Sequence, residues 1–401
     1  MGKLIEALTQ DWRRTNSVRR QVVACRRKSA KAELLNRPNH ACRIKSHIID
    51  VVPKNREATR LAQKNGYIAM TSYLRCAVLN DNLRVAERLA DWSAISHRVN
   101  VHFFSDDMVS EEAIIRELQE FDIVVLLRER TPFSENIINQ LPRLKLIVTA
   151  GHRNGSLAVM AAQKRGIPIL GTPILETPAA ELTWALLLAL ARQIPAHVDA
   201  VRACGKWQVG LGRDLAGSTL GIIGLGRLGL RVARIGQAFG MDVVAWSGNL
   251  TQEQCDAQGI RFGESLHTLL SQSDFVSIHL VLSERTVGLI GADELASMRS
   301  DAYLINTSRA AIVDEHALVE ALGKRQIAGA GLDVFLEEPL PPDHPFRTLP
   351  NVLATPHIGY VTHNLYKLIY QAVVEDIQHW LEGKKLRQIT GEHPAALLSK
   401  G

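Results

Sequence analysis

The sequence predicts an α/β protein made of two doubly wound parallel-sheet domains. Short apolar runs recur along most of the chain with helical patterns between them, the signature of parallel sheets crossed over by helices. Near the middle, the run Leu220 to Ile223 ends in Gly224-Leu225-Gly226-Arg227-Leu228-Gly229 and passes straight into a helical pattern that stops at Gly240. A length of 401 residues with 46% apolar content suits more than one core.

Residues 1–69 differ from the rest. They hold 16 Lys and Arg against 5 Asp and Glu, whereas the remainder holds 31 against 36. The formal charge of +6 therefore comes from the extension alone, and the body gives no electrostatic reason to expect nucleic acid. The extension has few aromatics and no sustained periodicity, so it reads as a mobile tail. The preferred reading places the true start at Met70, ahead of a tail without function and of an Arg-rich targeting or nucleic-acid-binding arm.

The first domain is expected over 70–172 plus 363–401. Its strand candidates are Leu74 to Leu79, Val101 to Phe104, Asp122 to Leu127, Lys145 to Thr149 and Ile167 to Leu170. Helices are expected at Val85 to Trp92, from Ser110 through Leu118, around Ile137 and Ile138, and over Leu157 to Lys164. Thr177-Pro178 then opens a long apolar helix through Ala191, with Thr177 as its cap.

The second domain is expected over 173–362. Strands recur at 219–223, Val243 to Trp246, Phe275 to His279, Ala302 to Asn306, Gly329 to Val334 and Val352 to Ala354, six in all. A helix from Asp314 to Gly323 links two of them, and a final helix from about His363 to Leu381 can cross back to the first domain.

The glycine cluster is a dinucleotide-binding signal. Gly224 permits a tight turn, Gly226 lets the backbone approach a pyrophosphate, and Gly229 lets the helix pack on the strand. The amides of the helix start, through Arg227 and Leu228, offer N–H groups to the phosphates. The other polar candidates all follow strand ends, where ligands bind in open α/β sheets. They are His279, Thr307, Ser308 and Arg309, Asp333, Glu338, and His357 with Gly359.

Five cysteines, widely spread and odd in number, form no C-x-x-C pair and no metal spacing. No metal is expected, and free thiols point to a reducing, cytoplasmic setting. No apolar run approaches the roughly 18 residues of a membrane span, so no membrane association is expected.

The blocks Gly-Leu-Gly-Arg-Leu-Gly, Val276-Ser277-Ile278-His279-Leu280, Asn306-Thr307-Ser308-Arg309, Gly329 to Pro339 and Thr355-Pro356-His357-Ile358-Gly359 stand in fixed order. With them, the stretch 178–360 resembles the D-isomer-specific 2-hydroxyacid dehydrogenases that use NAD, and the similarity extends from about 70 to about 390. The resemblance implies a Rossmann domain inserted into a flavodoxin-like substrate domain. It implies hydride transfer between a nicotinamide cofactor and a 2-oxo or D-2-hydroxy acid, and commonly a homodimer.

Residue by residue, it implies Arg309, Glu338 and His357 as the catalytic set. Arg309 would fork onto the substrate carboxylate and ketone. His357 would move the proton, with Glu338 favouring its imidazolium. Asp333 would face the nicotinamide carboxamide, Thr177 would touch the cofactor, and His279 would contribute its backbone. Arg128 or Arg130 and the amides of Ala150 and Gly151 would reach the substrate.

Departures from the family pattern are Ala310 after the arginine, Tyr360 in place of a second glycine, and Ser247 where NAD users usually carry Asp. Ser247 implies NAD with NADP tolerated. Phosphoglycerate-type and glyoxylate/hydroxypyruvate-type substrates both remain open, as does a non-catalytic NAD(H)-sensing, corepressor-like role.

Overall fold

The computed structural model describes residues 73–108 and 110–389. The basic extension and Met70, with the readings attached to them, lie outside the described residues. Within the described residues, twelve strands form two parallel sheets.

The first sheet runs β2-β1-β3-β4-β5, with β1 (Leu74–Val78), β2 (Val99–Phe103), β3 (Ile123–Leu126), β4 (Leu146–Thr149) and β5 (Ile169–Gly171). This is the flavodoxin-like order. Every residue of β3 and β4 is buried. Both faces are covered, so these strands read as unbroken apolar runs. The alternation of a strand splits β1 between two cores. Cys76 and Val78 face one that includes Val125, Val148, Trp92 and Tyr370. Ala77 faces another with Ile114, Leu118, Ile137 and Ile147.

The connecting helices are α1 (Ala86–Leu89), α2 (Glu111–Leu118), α3 (Glu135–Asn139) and α4 (Val159–Lys164). The Ser110 hydroxyl caps α2 by accepting from the Ala113 amide. The helix expected over Val85 to Trp92 is cut short. Trp92 turns its indole N–H onto the Ala86 carbonyl at 2.9 Å, and Asp91 caps a separate 3-10 turn, Trp92–Ala94.

Helix α5 (Thr177–Ala191) follows. Thr177 is its first helical residue, and Glu176 holds the cap position without a side-chain bond, which corrects the expected cap. Trp184, Leu186 and Leu187 of α5 pack on Leu220, Ile222, Phe275 and Ile305, so α5 covers one face of the second sheet. A helix the sequence did not announce, α6 (Ile194–Arg202), follows at once. Gln193 at φ +50° breaks the run, and Pro195 sits in the first turn of the new helix.

The second sheet runs β12-β11-β10-β9-β6-β7-β8. Its strands are β6 (Thr219–Ile223), β7 (Asp242–Trp246), β8 (Arg261–Phe262), β9 (Phe275–Ile278), β10 (Tyr303–Asn306), β11 (Gly329–Leu332) and β12 (Val352–Ala354). Seven strands replace the expected six, because two-residue β8 is too short to show a period. Helices α7 (Arg227–Ala238), α8 (Gln252–Asp256), α9 (Leu266–Gln272), α10 (Ala292–Ser297) and α11 (Glu315–Gly323) connect them.

The chain then returns as α12 (His363–Leu381). Its residues Leu365, Tyr366, Ile369, Tyr370, Val373 and Ile377 join the core of the first sheet. The Rossmann-type sheet is thus inserted into the flavodoxin-like one. Strand order reverses at β6, where neighbours β7 and β9 lead to opposite ends of the sheet. That crevice is where such sheets bind ligands.

Candidate active site

The turn from β6 into α7 is built by glycine geometry. Gly224 sits at φ +99°, and a Cβ there would lie 2.8 Å from the His279 carbonyl oxygen. A Cβ on Gly229 would overlap the Gly224 carbonyl oxygen. Gly226 caps α7, and a Cβ there would meet no protein atom within 4 Å. The approach to the N-terminal amides at Arg227, Leu228 and Gly229 is therefore open, which fits a pyrophosphate. Arg227 points outward and pairs with Glu176 at 2.9 Å.

His279 directly follows β9, beside this turn. Its Nε2 meets Ser277 Oγ at 2.8 Å, while its Nδ1 is buried with no hydrogen-bond partner among the described residues. Burial pushes its pKa down to about 4, so the ring is neutral.

Ser247 follows β7, and its carbonyl accepts from the Leu250 amide at 3.1 Å. Thr251 is committed to a capping box with Gln254. Arg261 is tied to Asp242 and Gln272, each at 2.6 Å, at the end of β7 remote from Ser247.

Arg309 is aimed by an Asx-type turn. Asn306, buried at the end of β10, accepts from the Ser308 amide and donates to the Arg309 carbonyl, both at 3.0 Å. Thr307 Oγ1 bonds Thr183 Oγ1 of α5 at 2.7 Å, and the Ser308 hydroxyl donates to the Leu280 carbonyl. These side chains fix the loop. The Arg309 guanidinium then donates from Nη1 to the Ser308 carbonyl at 2.8 Å and from Nη2 to Glu129 Oε1 at 3.0 Å.

His357 is held by a second carboxylate brace. Buried Asp333, just past β11, accepts at Oδ1 from the Thr355 hydroxyl (2.6 Å) and the Ile358 amide (2.8 Å), and at Oδ2 from the Gly359 amide (2.8 Å). Burial pushes this carboxyl above its ordinary range, while those three donors and His357 hold it back. Both oxygens are engaged by the loop that carries His357, so holding that loop is the first task of Asp333 in the fold.

His357 sits at φ +52°, with Nδ1 2.7 Å from Glu338 Oε2. The other Glu338 oxygen accepts from the Phe335 amide at 3.0 Å. Burial raises the Glu338 carboxyl, but the bond and charge of His357, with the Phe335 amide and the charge of Arg130, together hold the group below its ordinary range. Asp333→Asn can keep at most part of its brace. It is expected to lower unfolding free energy by about 1–3 kcal/mol, the scale of a buried hydrogen-bond loss. Denaturant unfolding beside the parent protein checks this.

The first sheet supplies the opposite wall. Arg128, Glu129 and Arg130 form a 3-10 turn after β3, with Arg128 at φ +57°. Buried Asn154 anchors the turn by donating to the Arg128 carbonyl at 2.8 Å. The Tyr360 hydroxyl accepts from Arg130 Nε at 2.5 Å. Its ring lies 5.4 Å from the Arg128 guanidinium, and the His357 ring meets it edge-on at 5.6 Å.

Two expected donors are otherwise engaged. The Ala150 amide bonds the Leu126 carbonyl at 3.0 Å, because the β3–β4 ladder runs one residue past the strand. The Gly151 amide bonds Thr172 Oγ1 at 3.2 Å. Neither is free for a substrate, which corrects the sequence expectation.

Glu129, Asn306 and Asn154 lie in stretches the sequence placed at the site, but none was given a role of its own. Asn306 carried a signal, an Asn at a strand end two residues before Ser308. Glu129 carried none, since its partner lies 180 residues away. Among the described residues no cluster of His, Cys, Asp and Glu is arranged to hold a metal.

Residues 184–359 match the family model described as D-isomer specific 2-hydroxyacid dehydrogenase, NAD binding domain. A glyoxylate reductase from Korarchaeum cryptofilum is 36% identical over 282 residues, covering 69% of this chain and 84% of that protein. A D-3-phosphoglycerate dehydrogenase from Methanocaldococcus jannaschii is 34% identical over 279 residues, covering 69% of this chain and 53% of that protein. The chain thus spans about half the length of that relative. The crystal structure of a phosphoglycerate oxidoreductase from Vibrio cholerae aligns with TM-score 0.74 at 33% identity, over 77% of this chain and 99% of that one.

Proposed function

The chain belongs to the D-isomer-specific 2-hydroxyacid dehydrogenases, and we propose that it reduces a small 2-oxo acid, or oxidises the D-2-hydroxy acid, with Arg309, Glu338 and His357 as the acting residues. The observation that carries this reading is the His357–Glu338 contact of 2.7 Å, on the same crevice as the Arg309 guanidinium.

With Nδ1 held by Glu338, Nε2 is the ring nitrogen left to give a proton to the substrate ketone oxygen. Arg309 orients the substrate by its carboxylate. The nicotinamide, when bound, supplies the hydride to the carbonyl carbon. NAD is the cofactor of the matched domain, and Gly224, Gly226, Gly229 and the start of α7 would hold its pyrophosphate. Thr177, Thr307, Ser308, Asp333 and Gly359 would border the nicotinamide half.

Steady-state oxidation of NADH against a panel of 2-oxo acids, glyoxylate and hydroxypyruvate included, tests the reading. Tight NADH binding with no turnover across the panel would point instead to a nucleotide sensor. The assembled Arg309, Glu338 and His357 favour the enzyme.

NAD preference is proposed to be weak. Ser247 neither accepts as a carboxylate does nor repels a 2′-phosphate, and Arg261 is committed elsewhere. Ser247→Asp is expected to raise the ratio of kcat/KM for NADH to that for NADPH by about tenfold or more, roughly the effect of one unit charge near a phosphate. A parent ratio that already strongly favours NADPH would overturn this.

A homodimer is the proposed assembly. Beyond α5, Ile194 and Val201 of α6 and the following Trp207 and Leu211 are exposed apolar side chains, Leu211 at 93%. Light scattering that returns a monomer at micromolar concentration would exclude it. A cytoplasmic setting is proposed from the free thiols of Cys76, Cys204 and Cys255. Among the described residues no helix is long and apolar enough to cross a membrane.

A further inference from the structure

Glu129 has no part in the chemistry above, yet it sits against it. It reaches from the turn after β3 to Arg309 at the end of β10, with Oε1 3.0 Å from Nη2. Its Oε2 lies 3.5 Å from Arg128 Nε and accepts no hydrogen bond among the described residues. Only 21% of the side chain is exposed. Burial raises its carboxyl, but the charges of Arg309, then Arg128, and further off His357, bring it below the ordinary range. It is an anion at neutral pH.

One carboxylate therefore serves two guanidiniums. The third cation of the wall, Arg130, is engaged by the Tyr360 hydroxyl and by Asn82 Oδ1 at 3.1 Å. Arg128 is thus the ion-paired cation of this loop, and the Arg130 guanidinium is turned to neutral partners. A substrate carboxylate can still be taken by Arg309, whose guanidinium has N–H donors to spare. A second anionic group placed beside Arg309 meets the Glu129 carboxylate, which already holds both Arg309 and Arg128. In a partly dry cleft, like charges several ångströms apart repel far more than in bulk water.

We propose that Glu129 is a specificity-determining residue: its carboxylate beside Arg309 confines the site to 2-oxo acids bearing a single negative charge and rejects those with a second carboxylate or a phosphate. The inference rests on the 2-oxo acid reading of Arg309 given above. It favours the glyoxylate/hydroxypyruvate type of substrate over the phosphorylated type.

The test compares 2-oxopentanoate with 2-oxoglutarate, which share chain length and differ by a distal carboxylate. In Glu129→Gln, the ratio of kcat/KM for 2-oxoglutarate to that for 2-oxopentanoate is expected to rise by about tenfold or more, through KM, as removal of one nearby unit charge implies. An unchanged or lower ratio, with both KM values moving together, would make Glu129 only a support for Arg309 and overturn the proposal. Calorimetric titration with oxalate and oxamate, equal in shape but differing by one charge, reads the same selectivity without turnover. Oxalate should gain on oxamate in Glu129→Gln, and no gain also overturns the proposal. Absence of turnover in the parent protein with every 2-oxo acid, beside a charge-dependent gain in oxalate affinity, would instead refute the dehydrogenase reading and leave the selectivity of Glu129 standing.

Discussion

His357→Ala is expected to lower turnover by roughly 10²–10⁴, the range for losing a positioned general acid or base. The geometry makes the loss local. His357 Nδ1 is held at 2.7 Å by Glu338, and the backbone of its loop is held separately by Asp333 through Thr355, Ile358 and Gly359. Removing the imidazole leaves that brace intact. The amides at the start of α7 do not depend on it, so NADH binding should change by less than about twofold. Steady-state rates and a fluorescence titration with NADH, run on the same preparation, check both halves. Near-parent turnover would mean that another group supplies the proton. A large loss of NADH affinity would mean that the loop had moved. Glu338→Gln should fall between, with turnover down by about tenfold to a hundredfold, because the amide keeps the size of the carboxylate but loses its charge beside the imidazolium.

Much of this was legible from the sequence, for physical reasons that differ by element. Strands β3, β4 and β6 were visible because parallel strands buried on both faces must be continuously apolar. Helices α5 and α12 were visible because Pro178 and the length of the apolar pattern mark a helix start and extent strongly. Arg309, Glu338 and His357, the acting residues proposed here, stood out because each follows a strand within a local block that carries the family resemblance, and the sheet gathers strand ends on one edge.

What stayed hidden depends on tertiary placement. β8 is two residues long and exists only because β7 offers it an edge. The Ala150 and Gly151 amides looked free at a strand end, yet Leu126 and Thr172 had claimed them. The Glu129–Arg309 contact joins two sheets across 180 residues, and no local pattern encodes such a pair. The same holds for Tyr360. As a sequence departure it only suggested a narrower pocket, whereas in the fold it links Arg130 to the ring of His357.

Gly226→Val and Gly229→Ala should separate cofactor binding from folding at positions three residues apart. At Gly229 any Cβ overlaps the Gly224 carbonyl oxygen, so even alanine must push α7 off β6. That variant is expected to lose stability first, by about 1–3 kcal/mol or more, the range for overpacking a tight core contact. Gly226 is the reverse case. Its backbone, at φ −76° and ψ −168°, is extended, and a Cβ there meets no protein atom within 4 Å. Valine is therefore tolerated by the fold, with a loss of about 1 kcal/mol or less from a poorer cap residue. The methyl groups would instead fill the approach to the N–H groups of Arg227 and Leu228, which a pyrophosphate needs at hydrogen-bond distance. Displacing two charge-assisted hydrogen bonds at about 1.5–3 kcal/mol each should weaken NADH by roughly two orders of magnitude or more. Thermal unfolding and NADH titration of the two variants, side by side, give the answer. A Gly226→Val protein that binds NADH like the parent would show that the phosphates do not approach the chain there, and would remove the glycine turn from the cofactor site.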